Sequence, residues 1–461
     1  MQGRRLHRHC EACSFRPSLS YTTSVNFFYF FYFSYNLFLR DGRRPTVTAA
    51  MRSDRDPSLR PLAFLVAAAS LVAVARGAYP LTTDSNCGCY KTNATSSNYF
   101  AHHQFFDFRS LPQYVNQTKP INDFDANALA PTTSAYFRSN TWMDAWAIQS
   151  WNNTGLLSLN SSDINDATVK MVNSPNNIFI ERSTDGSVQG GGSTYMTMRT
   201  VRHEQFQSSS EFESRSKGYQ FLSIRMLART KGASGAVTAM FTYRPPPTPH
   251  NMALVQEADL EIRTRDPPAY VQYTNQPSWN DTSDIPEATR NASLPGGRRW
   301  SDWAMYRMDW TPGSSTWYVN GALHSAIAFQ APRDPAQVMF NSWSDGGSWS
   351  GPMRVNTEAA LQIQWIELVY NNTDPGAVKT GKCVNVCSID ETTRLGTPAL
   401  ITGGNNTPVP PTNPVPPTQP APGACAAKRY DQCAGKNWNG CKACPAGTTC
   451  KFQNDYYSQC L

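Results

Sequence analysis

Charge is scarce in this chain. Charged residues make up 16% of its 461 positions and histidine only 7 of them, which argues against a coiled coil and against a charge-rich disordered chain. A lasting excess of one sign is missing too. Residues 1–78 hold 11 of the 41 Lys and Arg and 4 of the 34 acids, so the formal charge of +7 comes from that leader, and 79–461 balance at 30 basic against 30 acidic. Without a basic footprint the main body has nothing to neutralise a phosphate backbone, and nucleic acid is excluded as its partner. No Gly-rich phosphate loop, Gly-x-Ser-x-Gly elbow or His-Glu-x-x-His motif occurs, so nucleotide, serine-hydrolase and zinc-protease chemistry have no support. His102, His103, His203, His250 and His324 stand apart, without ligand spacing. Neither a metal nor another cofactor is expected.

The leader has an order of its own. Arg52, Arg55 and Arg60 precede an apolar run at 62–74 and the small residues Ala73, Ala75 and Ala78, as in a secretory signal peptide. Met51 stands directly before it, so 51–78 are expected to be the signal and 1–50 an upstream extension that is not translated. The aromatic stretch 19–39 is the competing reading, a membrane anchor, but Ser, Thr and Asn interrupt it. No stable membrane association is expected once the signal is removed. Eight Asn-x-Ser/Thr sequons begin at Asn93, Asn116, Asn152, Asn160, Asn280, Asn291, Asn371 and Asn405, and ten cysteines remain beyond the leader. Both features fit an extracellular, oxidising compartment in which cysteines pair. Cys87 and Cys89 are expected to tie one end of the main domain to Cys383 and Cys387 at the other, with the pairing open.

Composition divides the rest. Residues 396–424 carry eight prolines between Pro408 and Pro422 and read as an extended spacer. Before them, 79–395 show short runs of period two closed by turn signals, including Trp317-Tyr318-Val319 followed by Asn320-Gly321, a type I′ hairpin signature. Such strands over some 300 residues imply an all-β class with an antiparallel sandwich. After the linker, 425–461 spend six residues on cysteine. A module this short buries too little apolar surface to fold without disulfides, and six cysteines allow 15 pairings.

The pattern richest in chemistry is Glu257-Ala258-Asp259-Leu260-Glu261. On a strand the three acids share one face, and Ala258 and Leu260 share the other. Crowded carboxylates repel, so at least one keeps its proton near neutral pH, as a general acid requires. Two carboxylates flanking a scissile bond are the apparatus of retaining glycoside hydrolysis. A solvated acidic face on an edge strand, or a calcium site, is the alternative reading of the pentapeptide alone.

Several motifs in order narrow this. Gly235 to Tyr243 (GAVTAMFTY), the Glu-x-Asp-x-Glu strand, Trp310-Thr-Pro, Trp317-Tyr-Val-Asn-Gly321 and Met339-Phe-Asn-Ser-Trp343 together resemble glycoside hydrolase family 16, over about residues 208–370. The resemblance implies a concanavalin A-like β-jelly-roll and a retaining endo-β-glucanase acting on β-1,3, β-1,4 or mixed-linkage glucan as a monomer. It implies Glu257 as nucleophile, Asp259 as assisting residue and Glu261 as acid/base, with Glu211, Asn341 and Trp343 lining the sugar cleft. Trp343 also has a core-packing reading. Two positions depart from the family pattern: Glu213 replaces a common Arg, and Ala258 a larger aliphatic residue. A wall transglycosylase would use the same carboxylates, and a lectin-like glycan binder would hold sugars without chemistry.

The tail resembles the family 1 carbohydrate-binding module, through Tyr430, the cysteine frame and Asn454-Asp-Tyr456-Tyr457-Ser-Gln459-Cys460. The resemblance implies pairs Cys433–Cys450 and Cys444–Cys460, with Cys425 and Cys441 left as a third. It also implies a flat face of Tyr430, Tyr456 and Tyr457, with Asn454 and Gln459 beside it, that meets a cellulose or chitin surface. Trp438 fits either that face or packing.

Overall fold

The computed structural model describes residues 79–157, 166–248, 252–279, 283–379, 382–402, 432–434, 441–454 and 457–460. The leader, residues 403–424, Cys425, Tyr430, Trp438 and Tyr456 lie outside that set, as do the side chains of Asn454, Tyr457 and Gln459.

Two large, almost wholly antiparallel sheets form the main body. The front sheet runs Thr289–Ser293, Tyr270–Gln276, Gln256–Arg263, Val237–Arg244, Gln337–Trp343, Phe206–Ser214, with Trp146–Ile148 beyond. The back sheet runs Ala322–Ile327, Ser314–Val319, Ala304–Thr311, Tyr219–Gly232, Thr357–Asn372, and then Thr194–Arg202 with Ile178–Arg182. His102–Asp107 pairs with the later half of Thr357–Asn372. The chain crosses between sheets where Thr194–Arg202 turns back into Phe206–Ser214, joined by Val201 opposite Ser208. The all-β sandwich implied by the period-two runs is therefore the fold.

Alternation decides what lies between the layers. Ala258, Leu260 and Ile262 of the acidic strand point inward and join Met240, Val338 and Phe340 of the front sheet in one core. Ile224, Met226, Met308, Trp317, Ile366 and Leu368 meet them from the back sheet. Beneath the front strands, Phe212 and Phe340 stack with centroids 4.7 Å apart, and Trp146 meets both rings edge-on at 5.2 and 5.8 Å. Such ring pairs add roughly 0.5–1.5 kcal/mol each beyond their buried area. The hairpin at Asn320-Gly321 forms as read, with φ of 51° and 82° at its two central residues. Only Asn and Gly take that pair of angles at low cost.

The ends of the main domain meet in a small separate sheet. Cys89–Lys91 runs parallel to Val386–Ser388, which pairs with Ala399–Thr402. Cys87 bonds Cys387 and Cys89 bonds Cys383, settling the pairing left open by spacing. The third strand corrects the expected linker boundary at 396: Ala399 and Ile401 are buried, so folded chain extends to Thr402. Its Ala-Leu-Ile-Thr alternation is a strand signal that the neighbouring prolines and glycines obscured. In the tail, Gln432–Ala434, Tyr457–Cys460 and Cys450–Asn454 make a three-stranded sheet. Disulfides Cys433–Cys450 and Cys444–Cys460 hold it, as the family 1 resemblance implied. Cys441 is disulfide-bonded as well.

The two end-to-end bridges close loops with sequence separations of 300 and 294, and chain entropy assigns such a closure about 6 kcal/mol. Once either bridge exists, the other closes almost no additional loop. Cys87→Ser or Cys89→Ser alone is therefore expected to lower stability far less than the double variant does. Equilibrium unfolding in urea measures the difference, and equal additive losses would contradict it.

Candidate active site

The acidic strand is third from the edge of the front sheet, with partners on both sides. That removes the edge-strand reading of its carboxylates. Residues directly paired on neighbouring strands share a face, so register fixes what surrounds each acid. Glu257 sits between Tyr243 and Gln276. Asp259 sits between Phe241 and Thr274, and its row continues through Met339 to Glu213. Glu261 sits between Ala239 and Gln272, and its row continues through Asn341 to Glu211. In the last row Arg263 faces Val237, which faces Trp343. All six residues implied for catalysis and sugar binding thus lie on one face, opposite the core. At about 4.8 Å per strand, Glu211 and Glu213 start some 14 Å across the sheet from the acidic strand, a span of several sugar rings.

The carboxylates are crowded and little hydrated. Asp259 and Glu261 are buried, and Glu257 is half-buried. Loss of water raises the proton affinity of all three. At Glu257 a hydrogen bond from Asp259 opposes this and the charge of Glu261 adds to it. Asp259 is pushed well above the usual carboxylate range, by burial first and then by both glutamates. At Glu261 burial is offset by the Arg263 charge and by Trp349, whose Nε1 donates to Oε1 at 3.4 Å. The arrangement gives a protonated Asp259 that donates to an ionisable Glu257, and a separate glutamate within reach of a cation. All three are raised together, so protons are retained on the strand, as a general acid requires.

Across the sheet, Glu211 is fully enclosed and pushed up to about 8, chiefly by burial. Trp151 donates Nε1 to its Oε1 at 2.8 Å, and Asn341 bonds it too. Asn341 keeps a buried Oδ1 without a hydrogen-bond partner among the described residues. Trp343 is buried, yet outside the main core: it packs with Met171, Val237, Trp349 and Trp151 on the open face. Glu213 stays in this row beside Met339 and is raised by burial, so the departure from Arg adds a fifth carboxylate to the face.

Trp151, Trp349 and Arg263 belong to no motif of the sequence, yet they join this face. Arg263 lies over the Trp349 ring at 4.3 Å and pairs with Asp266 at 2.7 Å. Trp349 rides on the turn 345–351, which is held by Asp345 accepting from Gly347 N at 2.9 Å and Ser350 Oγ at 3.0 Å. A loop has no period to read; the local signal was two tryptophans six residues apart in a Gly- and Ser-rich stretch after a cleft strand.

Glu211 gives a stability test. Its carboxyl is raised in the folded state, so between about pH 4 and pH 8 the native state binds more protons than the unfolded one, and stability from this group falls as pH rises. Glu211→Gln keeps the acceptor for Trp151 and removes the ionisation. The variant is expected to melt several degrees above the parent near pH 8, with the gap closing toward pH 5, by calorimetry. A gap independent of pH would refute the enclosed-carboxyl account.

Two segments of the chain match known protein families. Residues 171–367 match the family Glycosyl hydrolases family 16, and residues 429–457 match the Fungal cellulose binding domain. The β-glucanase of Bacillus licheniformis is 24% identical over 190 residues, covering 40% of this chain and 72% of the relative. Endoglucanase EG-1 of Hypocrea jecorina is 53% identical over 38 residues, 8% of this chain and 8% of the endoglucanase, so the chain spans only that small part of it. Among solved structures, the endo-β-1,3-glucanase of Pyrococcus furiosus is 13% identical, covers 60% of this chain and 97% of its own, and has a TM-score of 0.40. A lichenase from a mouse hindgut metagenome is 18% identical, covers 59% and 99%, and has a TM-score of 0.36. The chain therefore carries a glycosyl hydrolases family 16 domain over residues 171–367, joined to a fungal cellulose binding domain over residues 429–457.

Proposed function

We propose that the protein is a secreted, retaining endo-β-glucanase that cleaves β-1,3- and/or β-1,4-linked glucan, including mixed-linkage glucan, and is held on cellulose by its C-terminal module. The observation that carries this is the row of Glu257, Asp259 and Glu261 on the open face of an interior strand, with burial keeping protons in the cluster. Similarity to a protein named β-glucanase supports the substrate class.

In this reading Glu257 attacks the anomeric carbon as the glycosidic C–O bond breaks, and Glu261 gives its proton to the leaving oxygen. Asp259 donates its hydrogen bond to Glu257 and stabilises the carboxylate before attack. In the second step Glu261 takes a proton from water, the oxygen bonds to the same carbon, and Glu257 leaves as carboxylate. In this reading double displacement requires the Glu257 and Glu261 carboxyls to converge over Asp259 to a separation of about 5 to 5.5 Å. Trp343 and Asn341 supply a ring face and hydrogen bonds to the sugar.

Timed product analysis on mixed-linkage glucan, laminarin and cellulose tests the assignment. Glu257→Gln and Glu261→Gln are each expected to lower turnover by about 10²–10⁴-fold, with new reducing ends of retained configuration in the parent. Redistribution of chain length without net reducing ends would mean transfer to a sugar acceptor, and binding without chemistry on any polymer would remove the catalytic reading. Tyr430→Ala, Tyr456→Ala and Tyr457→Ala combined in the full chain are expected to abolish retention on cellulose while turnover of soluble glucan stays at the parental level. Undiminished pull-down with cellulose would refute the tail's assigned face.

A further inference from the structure

On the far side of the sandwich, the outer face of the back sheet carries a polar cavity of about 840 Å³. Strand register builds its floor: Tyr318, Arg307, Arg225 and Glu367 form one cross-strand row, and Trp365 lies in the next. Segments leading to and from the disulfide-bonded end sheet wall it in, one of them residues 92–98. This volume is in the range of pockets that enclose small ligands, roughly 300–1,000 Å³.

The cavity's chemistry favours a neutral, hydroxyl-rich occupant. Both guanidinium groups are already committed. Arg225 donates to Glu367 at 2.8 and 2.5 Å and to Asp390 at 2.6 Å, and Arg307 donates to Asp309 at 2.6 Å and to Asp390 at 2.7 Å. An anion would have to break these pairs. A sugar instead meets the half-buried Tyr318 ring and the amides and hydroxyls of the wall, with Trp365 beneath.

One wall residue is Asn93, the first position of the sequon Asn93-Ala94-Thr95. Its Oδ1 accepts from Thr95 N at 3.0 Å, Thr95 Oγ1 at 2.8 Å and Ser96 N at 2.9 Å. That turn fixes the side chain and leaves Nδ2 without a partner among the described residues. Other sequons differ. Asn116 donates Nδ2 to Thr133 O, and Asn371 donates Nδ2 to Tyr99 O at 3.2 Å while accepting from Ala101 N at 2.9 Å. Sugar on either amide would have to share Nδ2 with a bond that joins two segments. Exposed Asn152 has the same turn as Asn93, accepting from Thr154 N at 3.1 Å, but does not line this cavity.

We propose that Asn93 is N-glycosylated and that the first sugars of its glycan fill this cavity, packing the end sheet against the back of the sandwich. The modification is a transfer from a lipid diphosphate oligosaccharide: the sugar C1–O bond to phosphate breaks, C1 bonds to Asn93 Nδ2, one amide proton is lost, and the lipid diphosphate leaves. The inference rests on export through a glycosylating compartment, and otherwise does not involve the acidic face.

The test uses the full chain secreted from a eukaryotic host. Glycan release in heavy-oxygen water, read by mass spectrometry, is expected to mark Asn93 and Asn152 and to leave Asn116 and Asn371 bare. Enzymatic release from native protein is expected to be at least about tenfold slower at Asn93 than at Asn152, with the two equal after denaturation. Tyr318→Ala is expected to remove the protection at Asn93 without changing its occupancy. Sugar at Asn152 but not at Asn93, or equal native release at both, overturns the inference alone. Sugar at no sequon overturns it together with the export reading.

Discussion

The pleat of one strand carries the molecule's main constraint. Gln256–Arg263 must bury Ala258, Leu260 and Ile262 against the opposite sheet while turning Glu257, Asp259 and Glu261 the other way. A shift of one residue would put three carboxylates into the core and three apolar side chains into the cleft. The crowded acids oppose folding, since each is held above its ordinary proton affinity. The inward residues and the aromatic cluster beneath offset that cost. Strain at the reactive face is thus sustained by packing a single layer away.

The same fold holds buried carboxylates in the opposite state on its back. Glu367 is as enclosed as Glu261, and burial alone would raise it, yet it is lowered because Arg225 and His103 surround it. His103 bridges Asp84 and Glu367 at 2.8 and 3.0 Å, linking the disulfide-bonded end of the chain to a central back strand. Removing one member of such a network would strand a buried charge, which costs about 3–5 kcal/mol. Back-face acids are therefore spent on holding the chain ends together. Front-face acids have less of that compensation, with Arg263 and Trp349 acting at Glu261, and all three stay raised.

Legibility in the sequence followed periodicity. Alternation disclosed the strands, the Asn320-Gly321 hairpin and the shared face of the three acids, because each is a local consequence of backbone geometry. The paired ends were legible only as two cysteines near two others; which bonded which required the parallel register of Cys89 against Val386. Trp349 and Trp151 escaped because loops place them, and loop conformation depends on long-range contacts such as Asp345 with Ser350. Ala399–Thr402 escaped because a proline-rich neighbourhood outweighed a four-residue alternation. The Arg225 and Arg307 ladder escaped for another reason: an isolated Arg on a strand reads as an exposed polar position, and only the covering segment from the chain ends buries it.

Glu213 shows how a single departure acts through this scaffold. An Arg there would stand in the same row as Asp259, three strands away, and neutralise part of the acidic face. Glu213 instead leaves five carboxylates on one face, with Arg263 engaged by Asp266 and Trp349. A neutral polyol tolerates that field, since protonated acids donate to its hydroxyls and ionised ones accept from them. Any of these acids that ionises would repel a polymer bearing carboxylate or sulfate groups, because a like charge brought into a poorly hydrated site meets little screening. In the proposed glucanase reading, preference for an uncharged polymer would come from the face as a whole.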